Sequence, residues 1–220
     1  METERKFIGE DPFTPEEEDW FETDHSSEAT VSALCGHFPH IADAIVLDIP
    51  CGRGFLANGL HSECKQLIGA DINLTYLSKL EEGIVTLHQD IRRFSDSEHY
   101  DIILNWHNSF GYFDDTTNQS VLLRLYVALK KGGTLLIEGD NPRNMNDKYP
   151  VKPNKDLYWD ENTMTLRYGY GTKELMLRIY TIEEMKERLR ATGFRTINMY
   201  GNDFSPYRED SQRIIYEAIK

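Results

Sequence analysis

The sequence predicts an α/β fold in which helices cover both faces of a mostly parallel sheet. Between residues 44 and 140, short apolar runs that suit buried strands alternate with segments in which apolar residues recur at helical spacing. The first apolar run ends at Asp48 and leads directly into a glycine-rich turn. Because parallel strands need a crossover between them, this alternation favours βαβ units with right-handed connections.

The first strand and its turn predict a cradle for a nucleotide. Residues 45–47 suit a parallel strand, the turn CGRG occupies residues 51–54, and FLANGLHSE then returns to helical spacing. Glycines allow such a turn to bend sharply and to pass close to a ligand. The turn lacks the third glycine of the dinucleotide fingerprint, and the sequence contains no phosphate-loop pattern. Pyrophosphate binding is therefore the less favoured interpretation.

Two further apolar runs end in acidic segments. Residues 67–70 are predicted to form a second strand that ends at Asp71, where a carboxylate offers acceptor oxygens to both hydroxyls of a ribose. The alternative interpretation makes Asp71 the N-cap of a helix in LTYLSKLEE. A third strand at residues 84–88 leads into Gln89, Asp90 and Ile91.

Two motifs carry a resemblance to a known family. The pattern D-x-x-C-G-x-G at residues 48–54 resembles motif I of the class I S-adenosylmethionine-dependent methyltransferases. The segment YDIILNWHNSFGYF at residues 100–113 resembles F-D-x-V-x-N-x-x-x-S-F-G-Y-F of a bacterial branch that acts on small molecules, some of its members being natural-product N-methyltransferases. The resemblance continues through LLRLYVALKKGGTLLIEGDNPRN, LRIYTIEEMKERLRATGF and YGNDFSPYREDSQRIIYEAI, and so covers most of the chain beyond residue 44.

The resemblance implies a Rossmann-like, seven-stranded, mostly parallel sheet with an N-terminal helical cap and a small antiparallel β insert. It also implies S-adenosyl-L-methionine as cofactor and S-adenosyl-L-homocysteine as product. The glycine turn would hold the methionine end, Asp71 the ribose, and Asp90 and Ile91 the adenine. The predicted cofactor residues are Asp48, Ile49, Pro50, Cys51, Gly52, Gly54, Asp71, Ile72, Asp90, Ile91, Asn105 and Trp106.

Methyl transfer from a sulfonium mainly requires alignment, and a proton acceptor helps when the acceptor is a phenol or an alcohol. His107 is the first candidate for that base, because it follows the fourth strand, whose end faces the transferred methyl in this fold. Its alternative role is a polar lining of the pocket. Tyr112 is the second catalytic candidate. The predicted substrate residues are Trp20, Phe21, His25, Asn108, Arg143, Tyr158 and Trp159.

We expect one methyltransferase domain over residues 1–220. Its parts are a helical cap at 1–40 opened by the capping box TPEE at residues 14–17, a cofactor-binding core at 41–140, a substrate-side insert at 141–180 and a sheet-closing part at 181–220. Alternation in LYWDENTMTLRYGY and ELMLRIY predicts two antiparallel strands in the insert. They either shape the acceptor pocket or pack on the edge of the sheet.

The composition limits which binding partners and which cellular location we expect for the protein. The chain carries 37 acidic against 24 basic residues and a formal charge of −13, which disfavours a nucleic acid partner. It has no run of roughly 18 apolar residues and no signal-peptide core, so we expect no membrane association. Three cysteines without metal spacing predict no metal site and a reducing, cytoplasmic location. We expect a monomer or a homodimer.

These observations lead to one functional prediction with two alternatives. The chain is expected to be a methyltransferase of the EC 2.1.1 class that moves a methyl group from S-adenosylmethionine to a nitrogen, or an oxygen, of a small metabolite. The first alternative is a catalytically silent S-adenosylmethionine-binding sensor or scaffold. The second is a protein methyltransferase, in which an open groove would replace a closed aromatic pocket.

Overall fold

The computed structural model describes residues 27–150, 157–170 and 173–220. The strands are β1 (Ile45–Asp48), β2 (Gln66–Asp71), β3 (Val85–His88), β4 (Tyr100–Asn105), β5 (Leu129–Asp140), β6 (Leu157–Asp160), β7 (Thr165–Tyr170), β8 (Lys173–Arg178), β9 (Thr196–Tyr200) and β10 (Arg213–Ile219). The α-helices are α1 (Ser27–His37), α2 (Ala57–Leu60), α3 (Leu74–Leu77), α4 (Asp115–Ala128), α5 (Met145–Lys148) and α6 (Ile182–Thr192).

Seven strands form the main sheet, in the order β3-β2-β1-β4-β5-β10-β9. Neighbouring strands among β1 to β5 are parallel, and β10 runs antiparallel between β5 and β9. The strand order therefore reverses at β1, which has β2 on one side and β4 on the other. Ligands of open α/β sheets bind at the carboxyl ends of the strands beside such a reversal. The predicted fold class is confirmed.

Two apolar layers cover the sheet, one on each face. On one face α4 and α6 bury Leu122, Leu125 and Leu189 against the strands. On the other face α1 and α2 bury Leu34 and Leu60. Helices on both faces protect the strands from water, as a parallel sheet requires. No helix in the described ranges combines the length and the apolar character needed to cross a bilayer.

The helices after the glycine turn and after β2 are shorter than their sequence patterns predict. In FLANGLHSE only Ala57–Leu60 is α-helical and a 3-10 turn follows at His61–Glu63, while LTYLSKLEE forms only Leu74–Leu77. The last helix begins as predicted with a capping box. Thr181 Oγ1 accepts a hydrogen bond from Glu184 N, and Glu184 Oε2 accepts one from Thr181 N at 2.8 Å.

The insert contains three antiparallel strands in the order β6-β7-β8, so the prediction of two strands was wrong by one. The segment LYWDENTMTLRYGY breaks into β6 and β7 at residues 161–164. That turn has neither glycine nor proline. It is held by Asp160 Oδ1, which accepts a hydrogen bond from Asn162 N at 3.1 Å, and Met164 takes a left-handed φ of 51°. A small antiparallel insert is nevertheless confirmed.

Only part of the predicted N-terminal cap lies within the described residues. Helix α1 is its described helix, whereas the capping box at residues 14–17 lies outside. Trp20, Phe21 and His25, which were predicted to line the substrate pocket, also lie outside the described residues.

Candidate active site

The glycine turn lies between the ends of β1 and β2. Cys51 N donates to Ala70 O at 2.9 Å, and Gly52 and Gly54 both take left-handed φ angles, of 53° and 83°. A Cβ on Gly54 would lie 2.3 Å from Leu80 Cδ2, whereas a Cβ on Gly52 would meet nothing within 4 Å. The turn is therefore packed tightly on its inner side and open above Gly52, as a ligand cradle must be.

Asp71 is bound to the glycine turn rather than to a helix. Its carboxylate is 5% exposed, and it accepts hydrogen bonds from Gly52 N at 2.9 Å and from Asn73 N at 2.8 Å. Asn73 caps α3, because its Oδ1 accepts from Thr75 N and Tyr76 N. The helix-cap interpretation of Asp71 is thus wrong. Burial raises the pKa of Asp71, although the backbone donors oppose that shift.

A second acid, Asp48, ends β1 beside Asp71. Its side chain is 2% exposed, and burial, followed by the charge of Asp71, raises the pKa of Asp48 to about 8. Cys51 is also buried, and burial followed by the charges of Asp48 and Asp71 raises the pKa of its thiol. The thiol therefore stays protonated near neutral pH, which suits a packing role rather than a nucleophilic one.

Asn105, at the end of β4, ties the residues before the glycine turn to the sheet. Its side chain is fully buried, and Asn105 Nδ2 donates to Ile49 O at 2.8 Å. Ile49 N donates in turn to Leu104 O at 2.9 Å, and the peptide bond between Ile49 and Pro50 is cis. Trp106 is 6% exposed and packs in the core on the side of α1. Asn105 thus anchors the residues before the glycine turn, whereas Trp106 belongs to the core on that face of the sheet.

The predicted adenine residues lie in the 3-10 turn that follows β3. Asp90 caps this turn, and its carboxylate accepts from Arg92 N at 2.8 Å, from Nε at 3.0 Å and from Nη2 at 2.7 Å. Burial disfavours the charge of Asp90, but Arg92 outweighs it and lowers the pKa. An adenine amine would therefore share this carboxylate with Arg92. Ile91 is half-buried, and so is Ile72, whose carbonyl accepts from His88 Nε2 at 2.9 Å.

His107 and Asn108 follow β4 in consecutive left-handed conformations, with φ of 55° and 58°. His107 N donates to Glu138 Oε2 at 2.9 Å, and Asn108 N donates to Glu138 O at 3.1 Å. The His107 ring meets the Phe55 ring edge-on, with the ring centroids 4.8 Å apart. Since Phe55 directly follows Gly54, this contact places the His107 ring next to the glycine turn.

Tyr112 lies between the cofactor side and the insert. It packs against the apolar cluster of the insert, and it lies close enough to Asp71 and Tyr76 for their charges to affect it. Burial, followed by those two charges, raises the pKa of Tyr112. The phenol therefore keeps its proton near neutral pH. It can donate a hydrogen bond, but it is a poor candidate for a base.

Comparisons with known proteins agree with this geometry. Residues 46–133 match the family model described as a methyltransferase domain. Residues 46–133 form a methyltransferase domain. The match and the sheet order agree with the predicted family of class I S-adenosylmethionine-dependent methyltransferases, whereas the branch acting on small molecules stays a prediction. Among curated proteins, no sequence is significantly similar to the chain.

Solved structures share the fold of this chain at low sequence identity. An S-adenosylmethionine-dependent methyltransferase from Clostridium acetobutylicum is 16% identical with a TM-score of 0.72, over 89% of this chain and 92% of that one. The CcbJ methyltransferase from Streptomyces caelestis is 14% identical with a TM-score of 0.71, over 88% and 95%. One from Archaeoglobus fulgidus is 18% identical with a TM-score of 0.61, over 89% and 95%.

The remaining predicted substrate residues differ in how deeply they are buried and in what they contact. Arg143, a predicted substrate residue, forms an exposed ion pair with Glu209 at 3.3 Å. Trp159 is 3% exposed and packs in the core of the insert, whereas Tyr158 is half-buried. The Asn108 side chain is bound to Asp140, because Nδ2 donates to Oδ2 at 3.0 Å and Oδ1 accepts from Asp140 N at 2.6 Å.

A cluster of buried charges beside His107 was missed by the sequence analysis. Glu138 and Asp140 alternate on one face of β5 and are 5% and 3% exposed. Arg213, at the start of β10, binds both, and Lys148 and Tyr149 also bind Asp140. The sequence does contain a signal for this cluster, namely two acids in the otherwise apolar strand segment LLIEGD. Buried carboxylates need cationic or hydrogen-bonding partners, so such partners could have been sought elsewhere in the chain.

Proposed function

We propose that the protein transfers the methyl group of S-adenosylmethionine to a nitrogen, or an oxygen, of a small-molecule acceptor. The observation that carries this proposal is the hydrogen bond from Gly52 N to Asp71 Oδ2, which joins the open glycine turn to the predicted ribose acid. This hydrogen bond joins the two halves of the proposed cofactor site. Nitrogen is preferred because the sequence resembles a branch that includes N-methyltransferases.

The described residues fit S-adenosylmethionine as the cofactor. The space above Gly52 is open, and a buried carboxylate lies beside it at Asp71. Bound there, the cofactor supplies a methyl group on a positively charged sulfur, which is already activated for displacement. Gly52 and Gly54 let the backbone approach the methionine end, while the Asp71 oxygens keep acceptor capacity for ribose hydroxyls.

The acceptor would be prepared by residues at the end of β4. His107 lies beside the glycine turn through its contact with Phe55, and an imidazole can take a proton near neutral pH. Tyr112 remains protonated and would donate a hydrogen bond to the acceptor from the side of the insert. Alignment by these groups can account for a large part of the rate enhancement, on the order of 7 to 11 kcal/mol in favourable cases.

The same proposal covers the protein's surroundings. We infer a cytoplasmic location, a monomer or a homodimer, and no nucleic acid partner. The formal charge of −13 supports the last point, because binding to a phosphate backbone depends on clustered basic residues.

Calorimetric titration with S-adenosylmethionine and with S-adenosylhomocysteine tests the cofactor site. We expect the wild type to bind both ligands and Asp71→Ala to bind them roughly tenfold to hundredfold more weakly, because hydrogen bonds to a charged group are lost. Asp210→Ala is the matched control, since Asp210 is an exposed acid paired only with Arg208 in the described part of the chain. Absence of binding to the wild type would contradict the proposal.

Screening of small amines and phenols for methyl transfer, with the bound protein, then tests the reaction. Turnover on a small amine or phenol would support the proposed acceptor class. Binding without turnover on any small molecule would favour the sensor or scaffold, and turnover only on polypeptides would favour the protein methyltransferase.

A further inference from the structure

A buried ion-pair cluster lies directly behind the turn that carries His107. Arg213 Nη2 donates to Glu138 Oε2 at 2.7 Å, Arg213 Nε donates to Glu138 Oε1, and Arg213 Nη1 donates to Asp140 Oδ1 at 2.6 Å. The side chains of Glu138, Asp140 and Arg213 are 6%, 1% and 16% exposed. One guanidinium thus bridges two carboxylates on the same face of β5.

The two carboxylates hold the His107–Asn108 turn from the other side. Glu138 Oε2 accepts from His107 N at 2.9 Å, and Asp140 Oδ2 accepts from Asn108 Nδ2 at 3.0 Å. Both turn residues are in the left-handed region, which Asn and His adopt more readily than most side chains, but two such residues in succession are uncommon and need support from surrounding contacts. The conformation of the turn therefore depends on where the two carboxylates are fixed.

We propose that Arg213 is a positioning residue for the proposed methyl-transfer site, which fixes the His107–Asn108 turn, and through it the His107 ring, beside the glycine turn. This inference rests on the proposed function for its catalytic meaning. Its physical content, that one arginine fixes one turn, stands on the contacts alone.

Glu138 depends on Arg213 more than Asp140 does. Asp140 has a second cation, Lys148, whose Nζ lies 2.5 Å from Asp140 Oδ1. Among the described residues, Arg213 is the cation that pairs with Glu138. Burial disfavours the charge of Asp140, but Arg213 and then Lys148 lower its pKa. Without Arg213, none of the described cations would pair with the buried carboxylate of Glu138, and it is Glu138 that binds the His107 amide.

Hydrogen exchange measured by mass spectrometry reads this turn directly, because the amides of His107 and Asn108 both donate to Glu138. In Arg213→Met we expect the peptide covering residues 105–112 to exchange at least about tenfold faster than in the wild type, since one partner of a buried ion pair is removed. Arg208→Met is the matched control, because Arg208 is 76% exposed. Arg208→Met should change hydrogen exchange of the 105–112 peptide by less than about twofold.

A double variant separates positioning from general stability. Glu138→Gln keeps an oxygen that can accept from His107 N while it removes the unpaired charge. We therefore expect Arg213→Met with Glu138→Gln to return exchange of the 105–112 peptide to within about threefold of the wild type. Faster exchange that is spread evenly over the sheet, or no rescue in the double variant, would overturn the proposal.

A conservative variant covers the case in which Arg213→Met does not fold. Arg213→Lys retains one charge and can reach one carboxylate, but it lacks the fork that binds both. Exchange of the 105–112 peptide should then be faster than in Arg208→Lys by at least about threefold. Equal exchange in these two variants would overturn the inference.

Cofactor titration on the same samples distinguishes the two proposals. The contacts described for Arg213 are with Glu138, Asp140 and Asn202 and include none with Gly52 or Asp71, so Arg213→Met should bind S-adenosylmethionine within about threefold of the wild type. If the wild type does not bind S-adenosylmethionine, the proposed function fails while the exchange data still decide the role of Arg213. If the cofactor binds normally and exchange of the 105–112 peptide is unchanged in Arg213→Met, the positioning role fails by itself.

Discussion

Replacing Asp48 with asparagine removes a titrating charge from the end of β1 and nearly preserves the shape of the side chain. In the folded protein, burial and then Asp71 raise the pKa of Asp48 from 3.8 to about 8. The unfolded chain titrates near the ordinary value, so between these limits the folded state binds one proton more than the unfolded state. This group therefore makes the wild type less stable as the pH rises from about 4 to about 8.

The size of this effect on stability follows from the width of the pH range between the two pKa values of Asp48, in the unfolded and in the folded protein. Each pH unit changes the free energy of unfolding by about 1.4 kcal/mol for one group, so the full window corresponds to about 6 kcal/mol. Between about pH 5 and pH 8, we expect Asp48→Asn to gain about 4 kcal/mol of stability relative to the wild type. Such a gain is a large part of the total stability of an ordinary domain.

Urea denaturation followed by circular dichroism, at several pH values and one ionic strength, measures this difference. Asp43→Asn is the control, because Asp43 is an exposed acid just before β1. Its stability should run parallel to that of the wild type. If the difference between Asp48→Asn and the wild type does not grow with pH, the carboxyl of Asp48 is already ionised in the folded protein, and the argument from burial is refuted.

Three further predictions each concern the substitution of one residue. A Cβ on Gly111, at a φ of 114°, would lie 2.1 Å from the carbonyl oxygen of Arg178. Gly111→Ala should therefore lower the free energy of unfolding by about 1 to 3 kcal/mol or more. Gly36→Ala is the control and should not lower it, because a Cβ on Gly36 would meet nothing within 4 Å. Gly54→Ala should weaken binding of S-adenosylmethionine at least about tenfold by calorimetry, because its Cβ would lie 2.3 Å from a leucine side chain. Thr181→Ala removes a helix cap and should lower the melting temperature, through a loss of about 1 kcal/mol that Thr181→Ser largely avoids.

The strands beside the cofactor site could be predicted because each is an apolar run with a local end signal. Asp48 and Asp71 mark the ends of β1 and β2, and the glycine turn follows directly. The division of the insert into β6 and β7 could not be predicted in the same way. Its turn contains no glycine or proline, and the left-handed φ of Met164 is favoured by packing rather than by its own side chain.

The surroundings of the site residues were harder to predict, because each depends on a partner that the chain brings from elsewhere. Sequence spacing left Asp71 as either a ribose ligand or a helix cap, and the structure excludes the cap because Asn73 caps α3 while Asp71 binds Gly52 N. The pairing of Asp90 with Arg92 is local and could have been anticipated from the two-residue spacing. The pairing of Glu138 with Arg213 could not, since 75 positions separate them.

The 75 positions between Glu138 and Arg213 affect the order in which parts of the protein can fold. The hydrogen bond between Gly52 and Asp71 spans 19 positions, and Asn105, which anchors Ile49, also precedes β10, so the cradle can close before the last strand is in place. In the proposed arrangement, the His107–Asn108 turn is fixed only when β10, the last strand, enters between β5 and β9 and brings Arg213 with it. We therefore expect a growing chain, or one refolding from denaturant, to gain affinity for S-adenosylmethionine before this turn is fixed.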